Sequence, residues 1–224
     1  MTSPTSRLFD TWALNGRAEG MEAGHEPRAI QAIDAIPLAA GETAIDLGCG
    51  NGWATRALAD RLQPGGSAIG IDIAPAMVER AQAASAGRDD VRFVCASFEA
   101  MPFDDGSVDH AFSMEALYYA LDLHEALLGI RRVLRPGGTL TLATDFFLEN
   151  PYSHGWPEMM GIPMELLGEA GWRQAMERAG FHVEQSFRCY DPRPVDPSRE
   201  DAADVEHFRR EIGALAVRAR ALPA

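Results

Sequence analysis

The densest chemistry in the chain lies in one short stretch, Ala44-Ile45-Asp46-Leu47-Gly48-Cys49-Gly50-Asn51-Gly52. Glycines at that spacing let the backbone bend tightly and approach a ligand with no Cβ in the way. Thr43 to Leu47, just before them, is apolar and suits a strand. Ala54, Leu58 and Leu62, just after, recur on one face of a helix, with Asn51 placed to cap it. A strand, a glycine turn and a helix N-terminus form the usual nucleotide cradle of an open α/β sheet. The dinucleotide fingerprint needs its third glycine at position 53, where Trp53 stands. Asp46, at the strand's carboxyl end, would repel a pyrophosphate and attract a cation.

S-adenosylmethionine carries a sulfonium and an ammonium and has no phosphate. The Asp46–Gly52 motif, D-L-G-C-G-x-G, resembles that of the class I S-adenosylmethionine-dependent methyltransferases, of the small-molecule, type 11-like kind. Leu134-Arg135-Pro136-Gly137-Gly138-Thr139-Leu140 is a second hallmark of that family, with a structural task. The resemblance covers residues 40–145 closely and 165–220 loosely. It implies an α/β, Rossmann-like three-layer sandwich. The seven-stranded, mostly parallel sheet would have an antiparallel last strand and the order 3-2-1-4-5-7-6. It also implies S-adenosylmethionine as cofactor and S-adenosylhomocysteine as product.

The resemblance further implies a cofactor site. Asp46, Gly48, Cys49 and Gly50 would form its turn, and Met114 would sit at the edge of the crevice. Asp72 lies 24 residues beyond Gly48, where nucleotide-binding sheets place an acid on the ribose hydroxyls; capping of the next helix is its structural alternative. Ile73 would pack near the adenine. Ser97-Phe98-Glu99-Ala100-Met101-Pro102-Phe103 is similar to the family segment D-A-E-x-L-P-F, with Ser97 in place of the acid that binds the adenine amino group. A hydroxyl pairs there more weakly than a carboxylate, and the Phe98 N–H is a further contact. Arg17 is a candidate for the cofactor's carboxylate.

Methyl transfer is an in-line displacement, and alignment of the two reactants can supply ~7–11 kcal/mol. A general base is needed only where the nucleophile starts protonated. His154 and Tyr118 are the catalytic candidates in the sequence, with Tyr119, His124 and His25 behind them. His124 reads as a surface residue, and His110 and His182 as structural. Residues 145–161 have no clean period but carry Phe146, Phe147, Tyr152 and Trp156. Such a stretch reads as a wall of the acceptor pocket, with a loop packed only for stability as the alternative, and a substrate-side insertion is expected over residues 146–168. A non-catalytic S-adenosylmethionine-binding sensor or partner subunit is the alternative, favoured if Trp12 and Trp156 block that pocket.

The 224 residues suffice for one large α/β domain, and the formal net charge of −13 disfavours nucleic acid as a partner. Neither a secretion signal nor a membrane span is evident, so a cytoplasmic protein acting on a small-molecule acceptor is expected. The sequence does not give its oligomeric state. Cys49, Cys95 and Cys189 form no C-x-x-C pair and read as buried, reduced thiols. No paired histidine or cysteine spacing points to a metal, and the expected burial of Cys95 and Cys189 argues against arsenic chemistry.

The remaining pattern orders the elements. Leu8, Phe9, Trp12, Ala13 and Leu14 predict a short amphipathic helix, then a link through Gly16, Gly20 and Gly24, and a helix opened by Pro27. Residues 1–36 would be a helical lid over the cofactor or a flank of the domain. Strands are expected at 68–73, 91–95, 108–113, 139–144 and 181–189, and a last one, ambiguous with helix, at 214–220. Leu123, Leu127, Ile130 and Leu134 predict an amphipathic helix. So do Trp172, Ala175, Met176 and Ala179, and Ser198 is expected to cap another that runs to about Glu211.

Overall fold

A computed structural model describes residues 3–223. Two helices, α1 (Pro4–Leu14) and α2 (Arg17–Asp34), precede β1 (Thr43–Leu47), α3 (Trp53–Arg61), β2 (Ser67–Asp72), α4 (Pro75–Ala84) and β3 (Val91–Cys95). Then come β4 (Val108–Met114), α5 (Leu123–Val133), β5 (Leu134–Thr144), α6 (Trp156–Met160) and α7 (Glu169–Arg178). The chain ends in β6 (Phe181–Cys189), α8 (Ala202–His207) and β7 (Ala214–Ala221). The strands form one sheet in the order β3-β2-β1-β4-β5-β7-β6, and β7 runs antiparallel to both β5 and β6. The expected fold and strand order are therefore present.

The two faces of the sheet differ in side-chain size. One face presents Ile45, Leu47, Ile69, Ile71, Leu140, Leu142, Leu215 and Val217 to a core completed by α5 and α7. The other presents Ala44, Ala68, Ala143 and Ala216, and small side chains there admit α2 and α3. Asp46 lies on this alanine face, against α3. The chain runs outward from β1 to β3 and then returns to β4 on the other side of β1, which opens a crevice at the carboxyl ends of β1 and β4.

Several local expectations are corrected. The link through Gly20 and Gly24 is helical, and Pro27 lies inside α2 rather than at its start. Proline cannot donate to the Ala23 carbonyl one turn back; the Arg193 guanidinium donates to it instead, at 2.6 Å. The cap of α3 is Gly52, in a left-handed conformation, and not Asn51. β5 begins at Leu134, five residues earlier than expected, because a register shift lets Pro136-Gly137-Gly138 bulge from the β4 pairing. Ser198 bonds only to Asp196 in a turn, so the helix starts later, after Asp201; a π turn, Phe208–Ile212, carries α8 on to the expected end. Cys49 and Cys189 are buried, but Cys95 ends the edge strand β3 and is exposed. Cys95 is thus removed from the argument against arsenic chemistry. Among the described residues no helix is long and apolar enough to cross a membrane.

Candidate active site

The glycine turn after β1 is held from inside. The N–H groups of Gly48 and Cys49 both donate to the Ile71 carbonyl, at 2.8 and 2.9 Å, and that of Gly52 donates to Cys49 O at 2.8 Å. The Gly50 N–H donates to Asp72 Oδ2 at 3.0 Å. The amides of Gly48, Cys49, Gly50 and Gly52 are thus not available to a phosphate, one of them being taken by a carboxylate. Gly48 has φ +78°, and a Cβ there would come within 2.3 Å of the Ala116 Cβ, so only glycine lets the turn pass the segment after β4. Gly50 has φ +53° and open space beside it.

Beside the turn lies a cleft of about 1030 Å³, its mouth included, enough for a nucleoside cofactor and a small second molecule. Its walls include Asp46, Gly48, Cys49, Gly50, Asp72, Ile73, Ser97, Phe98 and Met114. These are nine of the ten residues expected at the cofactor. Arg17, the tenth, is not among the lining residues, and its guanidinium lies 3.9 Å from the centroid of the Trp12 ring.

Two aspartates set the electrostatics. Asp46 is buried and accepts from the Thr55 hydroxyl at 2.6 Å; burial outweighs that bond and raises its pKa to about 7. Asp72 uses one oxygen on Gly50 and the other on the Ala74 N–H, at 2.9 Å, yet burial still raises it to about 6. Its two bonds join the turns after β1 and β2. The turn after β2 is also tied to α1, since the Ser6 hydroxyl donates to Ile73 O at 3.1 Å and Asp10 accepts from the Ala76 N–H at 3.0 Å. Asp10 thereby caps α4, whose own preceding residue, Ala74, has no side chain that can. Phe9 of α1 and Met21, Glu22 and His25 of α2 close the cleft from above.

The two catalytic candidates sit elsewhere. His154 is exposed, bonds to the Leu148 carbonyl of its own loop at 3.0 Å, and does not line the cleft. Tyr118 is buried and donates to Glu115 Oε2 at 2.9 Å, while its neighbour Tyr119 faces the cleft. Phe146 and Phe147 belong to the core, Trp156 stacks on Phe146, and Tyr152 meets His207; no residue of 145–161 lines the cleft. Neither Trp12 nor Trp156 lines it, so neither blocks it.

Sequence reasoning gave no role to a group of buried charges behind that wall. Arg28 of α2 binds Asp145, which directly follows β5, through Nε at 3.1 Å and Nη2 at 2.6 Å, and reaches Asp191 at 3.5 Å. Asp191 is also held by Arg193 and Arg209. Glu115, after β4, accepts from the Asp145 N–H and from Tyr118. Burial, reinforced by Asp145, pushes Glu115 well above the usual carboxylate range. His25, Glu115 and Asp145 place ligand-type atoms within 4.8 Å of one another. However, all four carboxylate oxygens already carry hydrogen bonds, and the Arg28 guanidinium is the cation in residence. A usable signal was present, since Glu115 and Asp145 are acids at the carboxyl ends of two buried strands.

Comparison with known proteins agrees with this geometry. A family described as the methyltransferase domain matches residues 45–142. The chain is 40% identical over 109 residues to 24-methylenesterol C-methyltransferase 2 of Arabidopsis thaliana, covering 47% of this chain and 30% of that protein. It is 30% identical over 179 residues to the O-methyltransferase resE of Aspergillus sclerotiorum, covering 77% of this chain and 67% of that protein. For several curated relatives the match spans about a third of their own length. In a solved complex between the Haloferax volcanii Trm112 methyltransferase activator and a protein described as a methyltransferase, one chain is 38% identical to this one. That match covers 96% of this chain and 98% of that one, with a TM-score of 0.89. A likeness that extends from the glycine turn to nearly the whole chain means that this protein belongs to the class I S-adenosylmethionine-dependent methyltransferases.

Proposed function

We propose that the protein transfers a methyl group from S-adenosylmethionine to a small-molecule acceptor in the cleft beside the glycine turn. The observation that carries this reading is the internal pairing of the turn amides. A dinucleotide needs those N–H groups for its pyrophosphate, whereas a phosphate-free nucleoside does not. In this reading Asp72 accepts from the ribose hydroxyls with its remaining lone pairs, and Ile73 packs on the adenine. The Ser97 hydroxyl and the Phe98 N–H meet the edge of the base. Asp46 supplies negative charge toward the cofactor's cationic end, and Met114 with Gly48 shapes the floor. The cofactor brings an activated methyl group; the protein's share is to hold and align.

The chain acts as a single domain, with α1 and α2 as a lid that lines the cleft and is fastened to α4. The relative from Haloferax volcanii was solved with an activator protein. By that likeness we propose that this chain also takes a small protein partner, testable by co-purification with a candidate activator. Calorimetry of the full chain with S-adenosylmethionine and S-adenosylhomocysteine tests the cofactor reading. Binding at micromolar levels is expected. Absence of heat and of any thermal shift with both would overturn it, and tight binding of reduced nicotinamide dinucleotide would replace it.

A further inference from the structure

His25 is the ionisable group of the cleft that the cofactor reading leaves unused. His25 lines the cleft and is half-buried. Neither ring nitrogen hydrogen-bonds to any described residue, although Glu115 and Asp145 oxygens lie within 4.8 Å. Around it the charges are already balanced. Arg28, one helical turn along α2, is paired with Asp145 and Asp191. Glu115 is held by Tyr118 and the Asp145 N–H, and burial, reinforced by Asp145, disfavours its charged form. Burial and the Arg28 charge lower the His25 pKa against the pull of Asp145, so the imidazole is neutral. An imidazole with unpartnered nitrogens at the cleft, next to a carboxyl whose charged form is disfavoured, is an arrangement in which a proton can change hands.

The same wall restricts the acceptor. The chain has no lysine, and no arginine lines the cleft. An anionic acceptor therefore meets no free positive charge. A cationic one finds at this wall only Asp145, already paired with Arg28, and Glu115, whose charged form burial disfavours. Glu22 and Glu99, elsewhere in the cleft, are engaged by Asn51 and by the Leu121 N–H. Phe9, Met21 and Tyr119 add apolar and aromatic surface. A weak imidazole base suits a hydroxyl of moderate acidity, and a phenol, with a pKa of about 10, is far better matched than an aliphatic alcohol.

We propose that His25 is the general base of methyl transfer and that the acceptor carries a neutral phenolic hydroxyl. This inference rests on the methyltransferase reading above. The acceptor's O–H bond breaks and its proton goes to a free ring nitrogen of His25. The acceptor oxygen forms the new O–C bond as the methyl carbon's bond to sulfur breaks, and the electron pair stays on sulfur. The imidazolium so formed faces Asp145 and later releases its proton to water.

The test uses the full chain with methyl-labelled S-adenosylmethionine and three matched probes: 4-ethylphenol, 4-ethylaniline and 4-ethylbenzoate. Label is expected on the phenol ahead of the other two. His25→Gln should lower kcat for the phenol about 100-fold or more, with the affinity for S-adenosylhomocysteine unchanged within about twofold. A second readout needs no turnover. Adding 4-ethylphenol to protein loaded with S-adenosylhomocysteine should shift the His25 ring resonances and leave those of exposed His154 in place. Preference for the benzoate or the aniline overturns the proposal, as does labelling of none of the three. So does His25→Gln retaining more than about a tenth of the rate. If S-adenosylhomocysteine itself does not bind, the methyltransferase reading fails, and that result is distinct from all of these. The probe comparison and the resonance shift use the unaltered chain, so they decide the matter even if the variant fails to fold.

Discussion

The cleft has two halves built in different ways. The half proposed for the cofactor comes mainly from neighbouring turns: residues 46–50 after β1, Asp72 and Ile73 after β2, and Ser97 and Phe98 after β3. Its contacts are largely backbone bonds among those turns. The other half presents His25 of α2 and Glu115 after β4 to the cleft, and is backed by Arg28 of α2, Asp145 after β5 and Asp191 after β6. Its contacts are side-chain charges from segments up to 163 residues apart, from Arg28 to Asp191. The first half is a local motif that folding of the sheet delivers complete. The second exists only once four strands and the N-terminal helix are in place.

The largest effect should come from removing the shared cation of the second half. Arg28→Met leaves Asp145 as a buried carboxylate with no counter-charge and Asp191 with two arginines in place of three. Breaking such a pair costs about 3–5 kcal/mol, read as a drop in the urea midpoint with the m-value unchanged. A loss below about 1 kcal/mol would show that the charges are solvated and that the two halves do not differ as argued.

Asp72→Asn probes the first half and should act on affinity. The amide can still accept one of the two backbone bonds, but it loses charge-assisted bonds to the ribose. These are worth about 1.5–3 kcal/mol, or roughly 10- to 150-fold in Kd for S-adenosylhomocysteine by calorimetry. Stability should hold near neutrality, because the buried carboxylate is itself costly there. Equal affinity in the variant would remove Asp72 from the cofactor site.

How much was legible follows from the same contrast. The D-L-G-C-G motif, Asp72 and the L-R-P-G-G run lie within single strand–turn–helix units, so local chemistry and spacing identify them. Glu115 and Asp145 are 30 residues apart and become neighbours only through the β4–β5 pairing. The helix through Gly20, Gly24 and Pro27 was hidden for a related reason. Three poor helix formers read as breaks until Arg193, 170 residues away, supplies the Ala23 carbonyl with a donor. The aromatics of residues 146–156 misled because an apolar ring suits a core as well as a binding wall; Phe146 and Phe147 are fully buried.

A smaller, pH-dependent effect should separate the halves further. For the unliganded protein, burial raises the Asp46 pKa from the ordinary carboxylate value of 3.8 to about 7. The folded state therefore holds more protons between those values, and stability falls as pH rises from about 4 to about 7, then levels off. Asp72, at about 6, adds to the same slope. A bound sulfonium favours the ionised carboxylates. Cofactor binding below pH 7 should then release protons, and affinity should rise between pH 5.5 and 7.5. Calorimetry in two buffers of different ionisation enthalpy measures the release, and Asp46→Asn should remove most of it. Proton uptake on binding would contradict the assignment of Asp46 to the cationic end.

The smallest effect is expected at the histidine whose loop position first suggested chemistry. His154 is exposed, its one bond goes to a carbonyl six residues back, and it does not line the cleft. His154→Ala should change stability by less than about 0.5 kcal/mol, the Kd for S-adenosylhomocysteine by less than twofold, and the rate with 4-ethylphenol hardly at all. The same measurements on His25→Gln provide the contrast, since the two imidazoles differ mainly in burial and in what they face. If His154→Ala slowed transfer tenfold while cofactor binding held, residues 145–161 would have to fold onto the acceptor when both ligands are present. The acceptor half would then extend beyond the buried charges after β4 and β5.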